Sequence, residues 1–166
     1  MNRIRHILEI KGYDTWLVRP DAMVIDALRL MREKDVSALL VMEKGLLVGI
    51  ITEQDYARRG EVAGRSAYIT PVRMIMTAGP ITLHPDQTVQ EAIQTMGEKH
   101  IGHLPVVEGG KVIGLISAGD LLRDVIYHQK RTIQTLESRL LAETPRGKEK
   151  QKASNAPFKP GFPLGG

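Results

Sequence analysis

Apolar and polar positions follow two alternating rhythms along this chain, and the same sequence of rhythms occurs twice. Trp16-Leu17-Val18 predicts a short strand. Pro20-Asp21 turns the chain, and Val24, Ala27, Leu28 and Met31 then fall at helical spacing, which gives a helix with one apolar face. Ala38 to Met42 is an unbroken apolar run bounded by polar residues, the mark of a buried strand. Glu43-Lys44-Gly45 makes a tight turn, Leu46 to Ile51 returns as the second arm of a hairpin, and Thr52 opens a helix through Arg59. The order repeats further on: a strand at Ile81 to Leu83, a helix over Val89 to Lys99, strands at Leu104 to Val107 and Lys111 to Ile116 around Glu108-Gly109-Gly110, and a helix from Ser117.

The two passes are copies. Residues Pro20 to Arg58, moved forward by 65 positions, land on Pro85 to Arg123 without a gap, and 15 of the 39 pairs are identical. They include Pro20/Pro85, Met31/Met96, Gly49/Gly114, Ile51/Ile116 and Asp55/Asp120. Such a repeat means two examples of one supersecondary unit. At about 60 residues each copy is marginal alone, so one shared core is expected. Between them Gly60, Gly64 and Pro71 break the connector from Gly60 to Met76, where long regular structure is not expected. After the second copy the helix runs on: Leu122, Ile126, Gln129, Ile133, Leu136 and Leu140 form a heptad seam with one polar member.

Composition narrows the chemistry. The chain has no cysteine, which excludes disulfides, thiolate metal sites and cysteine nucleophiles and makes a cytoplasmic address the default. No apolar run reaches membrane-spanning length, and the N-terminus lacks the apolar stretch of a secretory signal. The net charge of +4 belongs to residues 144–166, which hold five basic residues and one acidic one. Residues 1–143 carry 18 of each sign, so the body has no bulk footprint for nucleic acid. The tail is rich in Pro, Gly, Lys, Ser and Asn and is expected to be disordered.

The candidate sites are the hairpin ends. Gly49 to Asp55 and Gly114 to Asp120 both run from a buried strand into a hydroxyl residue, Thr52 or Ser117, with an aspartate three positions later. As a local motif this is a helix-capping box. The same parts also suit a nucleotide. A helix start favours phosphate, a carboxylate accepts two hydrogen bonds from a ribose diol, and the strand supplies an apolar wall for a base. His100 and His103 are three apart with a break between them, and no third or fourth metal ligand converges on them, so no metal site is expected. No Ser/His/Asp constellation is present.

The copies resemble CBS domains, the repeat named after cystathionine β-synthase, which occurs in tandem as a Bateman module. The likeness rests on Pro20-Asp21 with Val24 and Ala27, Val36 to Val41, and Gly49 to Asp55; then on Pro85 to Val89 with Glu91 and Ala92, Ile101 to Val107, and Gly114 to Asp120. The lead-in Val72 to Thr77 adds to it. The resemblance implies a mixed α/β (α+β) fold. Two β-α-β-β-α repeats, at 10–65 and 66–128, pack around a pseudo-twofold axis, followed by a helical extension at 129–143 and the tail. It also implies two clefts for adenine nucleotides (AMP, ATP or NAD), each drawing on both copies. One uses Thr52 and Asp55, walled by Ile81, Ile101, Gly102 and His103, with Arg58 and Arg65 available for phosphate. The other uses Ser117 and Asp120, walled by Trp16, Val36, Ser37 and Ala38, and is expected to be weaker because it has little basic help nearby. The position before each aspartate, often arginine in nucleotide-binding members, is Gln54 or Gly119 here. The implied role is that of a non-catalytic regulatory sensor, needing no metal. It would be a homodimer that signals to an unidentified effector protein and uses neither membrane nor nucleic acid. The alternative is a structural dimerisation or adaptor module without a physiological ligand.

Overall fold

The computed structural model describes residues 2–143. The expected tail at 144–166 lies outside them. The first repeat contains β1 (Leu17–Val18), α2 (Val24–Lys34), β2 (Ala38–Glu43) and β3 (Leu46–Thr52), preceded by α1 (Ile4–Lys11). A helical turn, α3 (Glu53–Asp55), then widens into a π-helix at Tyr56–Glu61. β4 (Thr77–Ala78) crosses to the second repeat, which holds α4 (Val89–Lys99), β5 (His103–Glu108), β6 (Lys111–Ser117) and α5 (Ala118–Glu143). Among the described residues no helix is long and apolar enough to cross a membrane.

The 65-residue shift holds at the level of hydrogen-bond register. β2 pairs antiparallel with β3 so that Ala38 faces Thr52, and β5 pairs with β6 so that His103 faces Ser117. Both hairpins slip by one residue at the same place, between Val41 and Met42 and between Val106 and Val107. Both preceding helices end on a left-handed residue, Asp35 at φ 52° and His100 at φ 53°. The expected strand at Ile81 to Leu83 is reduced to one parallel bridge, Leu83 to Val106, in the place that Val18 to Val41 holds in the first repeat.

Two differences from the sequence reading matter. The buried side chains form two clusters, one per repeat, and not one shared core. Val24, Ala27, Met31, Leu39, Val41 and Ile51 gather in the first; Val89, Ala92, Met96, Leu104, Val106 and Ile116 gather in the second. Each helix covers one face of its own hairpin, which gathers a cluster locally but leaves one side of it open. Each cluster is then completed by the segment that leads into the other repeat. Ala67, Val72 and Ile75, from the expected irregular connector, fill the first; Ile4, Ile7 and Leu8 of α1 fill the second. The exchange is reciprocal in detail. Val24 donates its amide to the Thr70 carbonyl at 2.9 Å, and Val89 donates to that of Asn2 at 3.0 Å.

The paired glycines Gly49 and Gly114 make room for this. A Cβ on Gly49 would meet Met76 Sδ at 2.6 Å, and one on Gly114 would meet Leu8 Cδ2 at 2.6 Å. Arg5 adds an ion pair to Glu108 at 2.7 Å and one to Asp86 at 3.3 Å, and Asn2 donates to Asp124 Oδ1 at 2.8 Å. Most of α1 precedes residue 10, the start expected for the first repeat, and packs on the second.

The described chain divides into two units, the first ending at Gln129 and the second beginning at Lys130. In the first unit Leu122 and Ile126 are exposed, and in the second Ile133, Leu136 and Leu140 are exposed.

Leu8 is fully buried and lies 106 residues in sequence from Gly114, which it covers. Leu8→Ala should lower the unfolding free energy by about 2–5 kcal/mol in urea titrations. Val62→Ala, at a position 84% exposed, should change it by less than about 0.5 kcal/mol.

Candidate functional site

Two clefts lie where the repeats meet. The larger, of about 630 Å³, is built on the end of β3. Thr52 closes a capping box with Asp55: the aspartate Oδ2 accepts from Thr52 N at 2.9 Å and from Thr52 Oγ1 at 2.8 Å, and Asp55 N donates back to Thr52 Oγ1 at 3.1 Å. Among the described residues the other carboxylate oxygen, Oδ1, takes no hydrogen bond, and its ion-pair neighbour is Arg59 at 3.9 Å. Ile50 and, from the second repeat, Ile81 and Ile101 form apolar wall, with Gly102 and His103 beside them. Thr77, Gly79 and Pro80 of the crossing segment complete it.

The second cleft, of about 350 Å³, is its counterpart on β6. Ser117 and Asp120 repeat the capping box at 2.8 Å, 2.8 Å and 3.2 Å. Trp16, Val36, Ser37 and Ala38 of the first repeat face them. Here both oxygens of the carboxylate are engaged. Lys11 Nζ donates to Asp120 Oδ2 at 2.7 Å and Arg123 donates to Oδ1 at 2.6 Å, with the Asp120 side chain 5% exposed. Burial alone would raise the Asp120 pKa, but the hydrogen bonds from Lys11 and Ser117 outweigh it and hold the carboxyl below its ordinary value of 3.8.

Ser37 and His103 line both clefts, and their side chains meet at 3.1 Å between Ser37 Oγ and His103 Nε2. One hydrogen-bonded pair thus forms part of the partition. Desolvation pushes the His103 pKa below its ordinary value of 6.5, with Lys11 acting in the same direction and Asp120 and Asp55 opposing. His103 is therefore neutral near pH 7.

Every residue expected in the second cleft lines it, as do Thr52, Asp55, Arg58, Ile81, Ile101, Gly102 and His103 in the first. Arg65 does not; it donates to the Met74 carbonyl at 3.1 Å, inside the connector. Arg59 takes the place at the cleft edge and also donates to the Met76 carbonyl at 3.1 Å. The sequence reading missed Lys11, Lys99 and His100 as lining residues, and the expectation of little basic help at the second cleft is corrected by Lys11 and Arg123. Arg123 was legible, since it matches Arg58 in the repeat; Lys11 was not, because nothing local in α1 shows that it packs on β6. The helix-start amides are also less available than expected. Glu53 N donates to Ser37 O and Ala118 N to Gly102 O, and the aspartate amides are held by the hydroxyls. A third capping box, Thr88 with Glu91 on α4, lines neither cleft, so a box alone does not make a site. Among the described residues no three His, Asp or Glu side chains gather as a metal site.

The family model of the CBS domain matches residues 14–61 and 72–127. The chain is 37% identical over 144 residues to the mitochondrial CBS domain-containing protein CBSX3 of Arabidopsis thaliana, covering 81% of this chain and 70% of that protein. Among solved structures, a protein with CBS domains from Burkholderia ambifaria is 42% identical with a TM-score of 0.75, over 77% of this chain and 96% of that one. A CBS domain pair in complex with 5′-methylthioadenosine and S-adenosyl-L-methionine has a TM-score of 0.66, over 78% of this chain and 98% of that one; at 23% identity the likeness is one of fold.

The lowered His103 pKa sets a pH dependence. The unfolded chain binds this proton more tightly than the folded one, so stability falls as pH drops from above about 6.5 through the depressed folded value, then levels off. His103→Asn should flatten that part of the curve in urea titrations between pH 8 and pH 5. Asp120 acts in a separate window: its contribution is present above about 3.8 and is lost as pH falls through its lowered folded value.

Proposed function

The chain belongs to the CBS-domain family, and on that premise we propose that this tandem pair is a regulatory module that binds adenine nucleotides and does no chemistry of its own. CBS pairs are regulatory ligand-binding domains, and those that take adenosine compounds hold them between the repeats. What carries the reading to this chain is Asp55. Its Oδ2 is fixed by Thr52, its Oδ1 takes no hydrogen bond among the described residues, and the residue lines a cleft walled by Ile81 and Ile101. A carboxylate oriented in this way accepts a ribose diol without first giving up a partner, and the isoleucines suit an adenine face. The fold-level neighbour with two adenosine compounds supports the ligand class and assigns no residues here. AMP, ATP and NAD all fit this chemistry. Occupancy would be passed to a partner protein.

The exposed residues Leu122, Ile126, Ile133, Leu136 and Leu140 favour a second reading alongside the first, in which the module also serves as a homodimer. Five large apolar side chains at heptad spacing call for a helical partner surface. Light scattering at micromolar concentration should give twice the 18.4 kDa chain mass. A monomer would remove this reading and leave the nucleotide reading standing.

Titration calorimetry with AMP, ATP and NAD tests the main reading. At a hundredfold excess over its Kd, a bound nucleotide should stabilise the chain by about 2.7 kcal/mol, seen as a raised Tm. Asp55→Ala, which removes a charged acceptor, should weaken binding by about 1.5–3 kcal/mol. Asp120→Ala should weaken it less, because Asp120 is already occupied by Lys11 and Arg123. Heats no larger than dilution with all three nucleotides would overturn the nucleotide reading.

A further inference from the structure

The two clefts are built alike but charged differently. In the Thr52/Asp55 cleft, Arg58 and Lys99 form no hydrogen bond or ion pair among the described residues, and Arg59 stands beside them. Three cations, Arg58, Arg59 and Lys99, there face two carboxylates, Glu53 and Asp55, so the lining is positive by one charge. In the Ser117/Asp120 cleft the balance is reversed. Lys11 and Arg123 are both paired with Asp120, while the Asp14 and Asp35 carboxylates form no ion pair or hydrogen bond among the described residues, so three carboxylates stand against two cations. The shared His103 is held neutral and favours neither side.

Resting on the adenosine reading above, we propose that the clefts divide ligands by charge. The Thr52/Asp55 cleft takes a phosphorylated nucleotide, and the Ser117/Asp120 cleft takes an adenosine compound without phosphate, neutral or cationic. An apolar strand wall for a base occurs in both. A ribose in the second cleft would share Asp120 with Lys11 and Arg123, since Oδ1 has one donor, Arg123, and a further lone pair. The phosphate distinguishes them. In the first cleft it meets guanidinium and ammonium donors that have nothing to give up. In the second it meets two free carboxylates, and it could gain Lys11 or Arg123 only by breaking their bonds to the buried Asp120, leaving that charge short of partners. The Glu53, Asp55, Ala118 and Asp120 amides at the helix starts are already committed, and those of Gln54 and Gly119 stand at matching positions of the two copies, so the amides favour neither cleft.

The test compares adenosine with AMP by calorimetry on the full chain. Asp55→Asn reports the second cleft. Asp120→Asn, made together with Lys11→Gln and Arg123→Gln so that neither cation is released into the second cleft, reports the first; circular dichroism confirms folding. In that triple variant, AMP should bind at least about tenfold tighter than adenosine, the worth of one charge-assisted hydrogen bond. In Asp55→Asn, adenosine should bind as tightly as AMP or tighter. Adding Arg58→Gln and Lys99→Gln, both exposed positions, to the triple variant should bring AMP down toward adenosine. An equal AMP preference at both clefts, or no effect of the Arg58 and Lys99 changes, overturns the division while leaving the nucleotide reading intact. Binding of neither compound to the wild-type chain overturns the nucleotide reading and this division with it.

Discussion

Neither repeat closes its own core. The hairpin and helix of each leave one side open, and the chain that leads into the other repeat fills it: Val72 and Ile75 on the first, Ile4 and Leu8 on the second. This reciprocal closure determines where the clefts can be. The same crossing segments continue from the cores directly into the cleft walls, as Thr77 to Ile81 in one and Lys11 to Trp16 in the other. A ligand bound in either cleft would therefore touch chain that also holds a core together. That gives occupancy a physical route to the packing of both repeats, without requiring any residue to act at a distance.

Within this frame each aspartate has two roles. As a cap it orders the strand-to-helix corner, and as an acceptor it can face a ligand. The two copies divide these roles differently. Among the described residues Asp55 caps with one oxygen and takes no hydrogen bond on the other, whereas Asp120 uses both, one of them held by Lys11 from α1. The repeat conserves the corner geometry, and the unrepeated N-terminal helix changes what the corner can bind.

Much of the fold was legible because periodicity and repetition are local signals. α4 at Val89–Lys99 and both hairpins fall where the apolar pattern put them. The paired Thr52/Asp55 and Ser117/Asp120 corners could be located because two copies in constant register reinforce one weak motif. The misses share a cause. α1, the packed connector, Lys11 and Lys99 owe their roles to chain distant in sequence, and an eight-residue helix with alternating charge gives no sign of what it packs on. Arg65 was placed at a cleft because it is basic and close in sequence to Arg58. The connector turns it away onto the Met74 carbonyl.

The position of α1 has a consequence for how the chain is made. Synthesis exports α1 long before β6, the strand it must cover, has been translated, and the roughly hundred residues between Leu8 and Gly114 make that closure a non-local one. The first repeat can bury its core once Ile75 has left the ribosome, while Ile4, Ile7 and Leu8 wait with their apolar side uncovered. The N-terminal helix thus cannot complete its packing until the second repeat has been made. The interval before it docks is when the nascent chain is most open to a chaperone or to an erroneous partner.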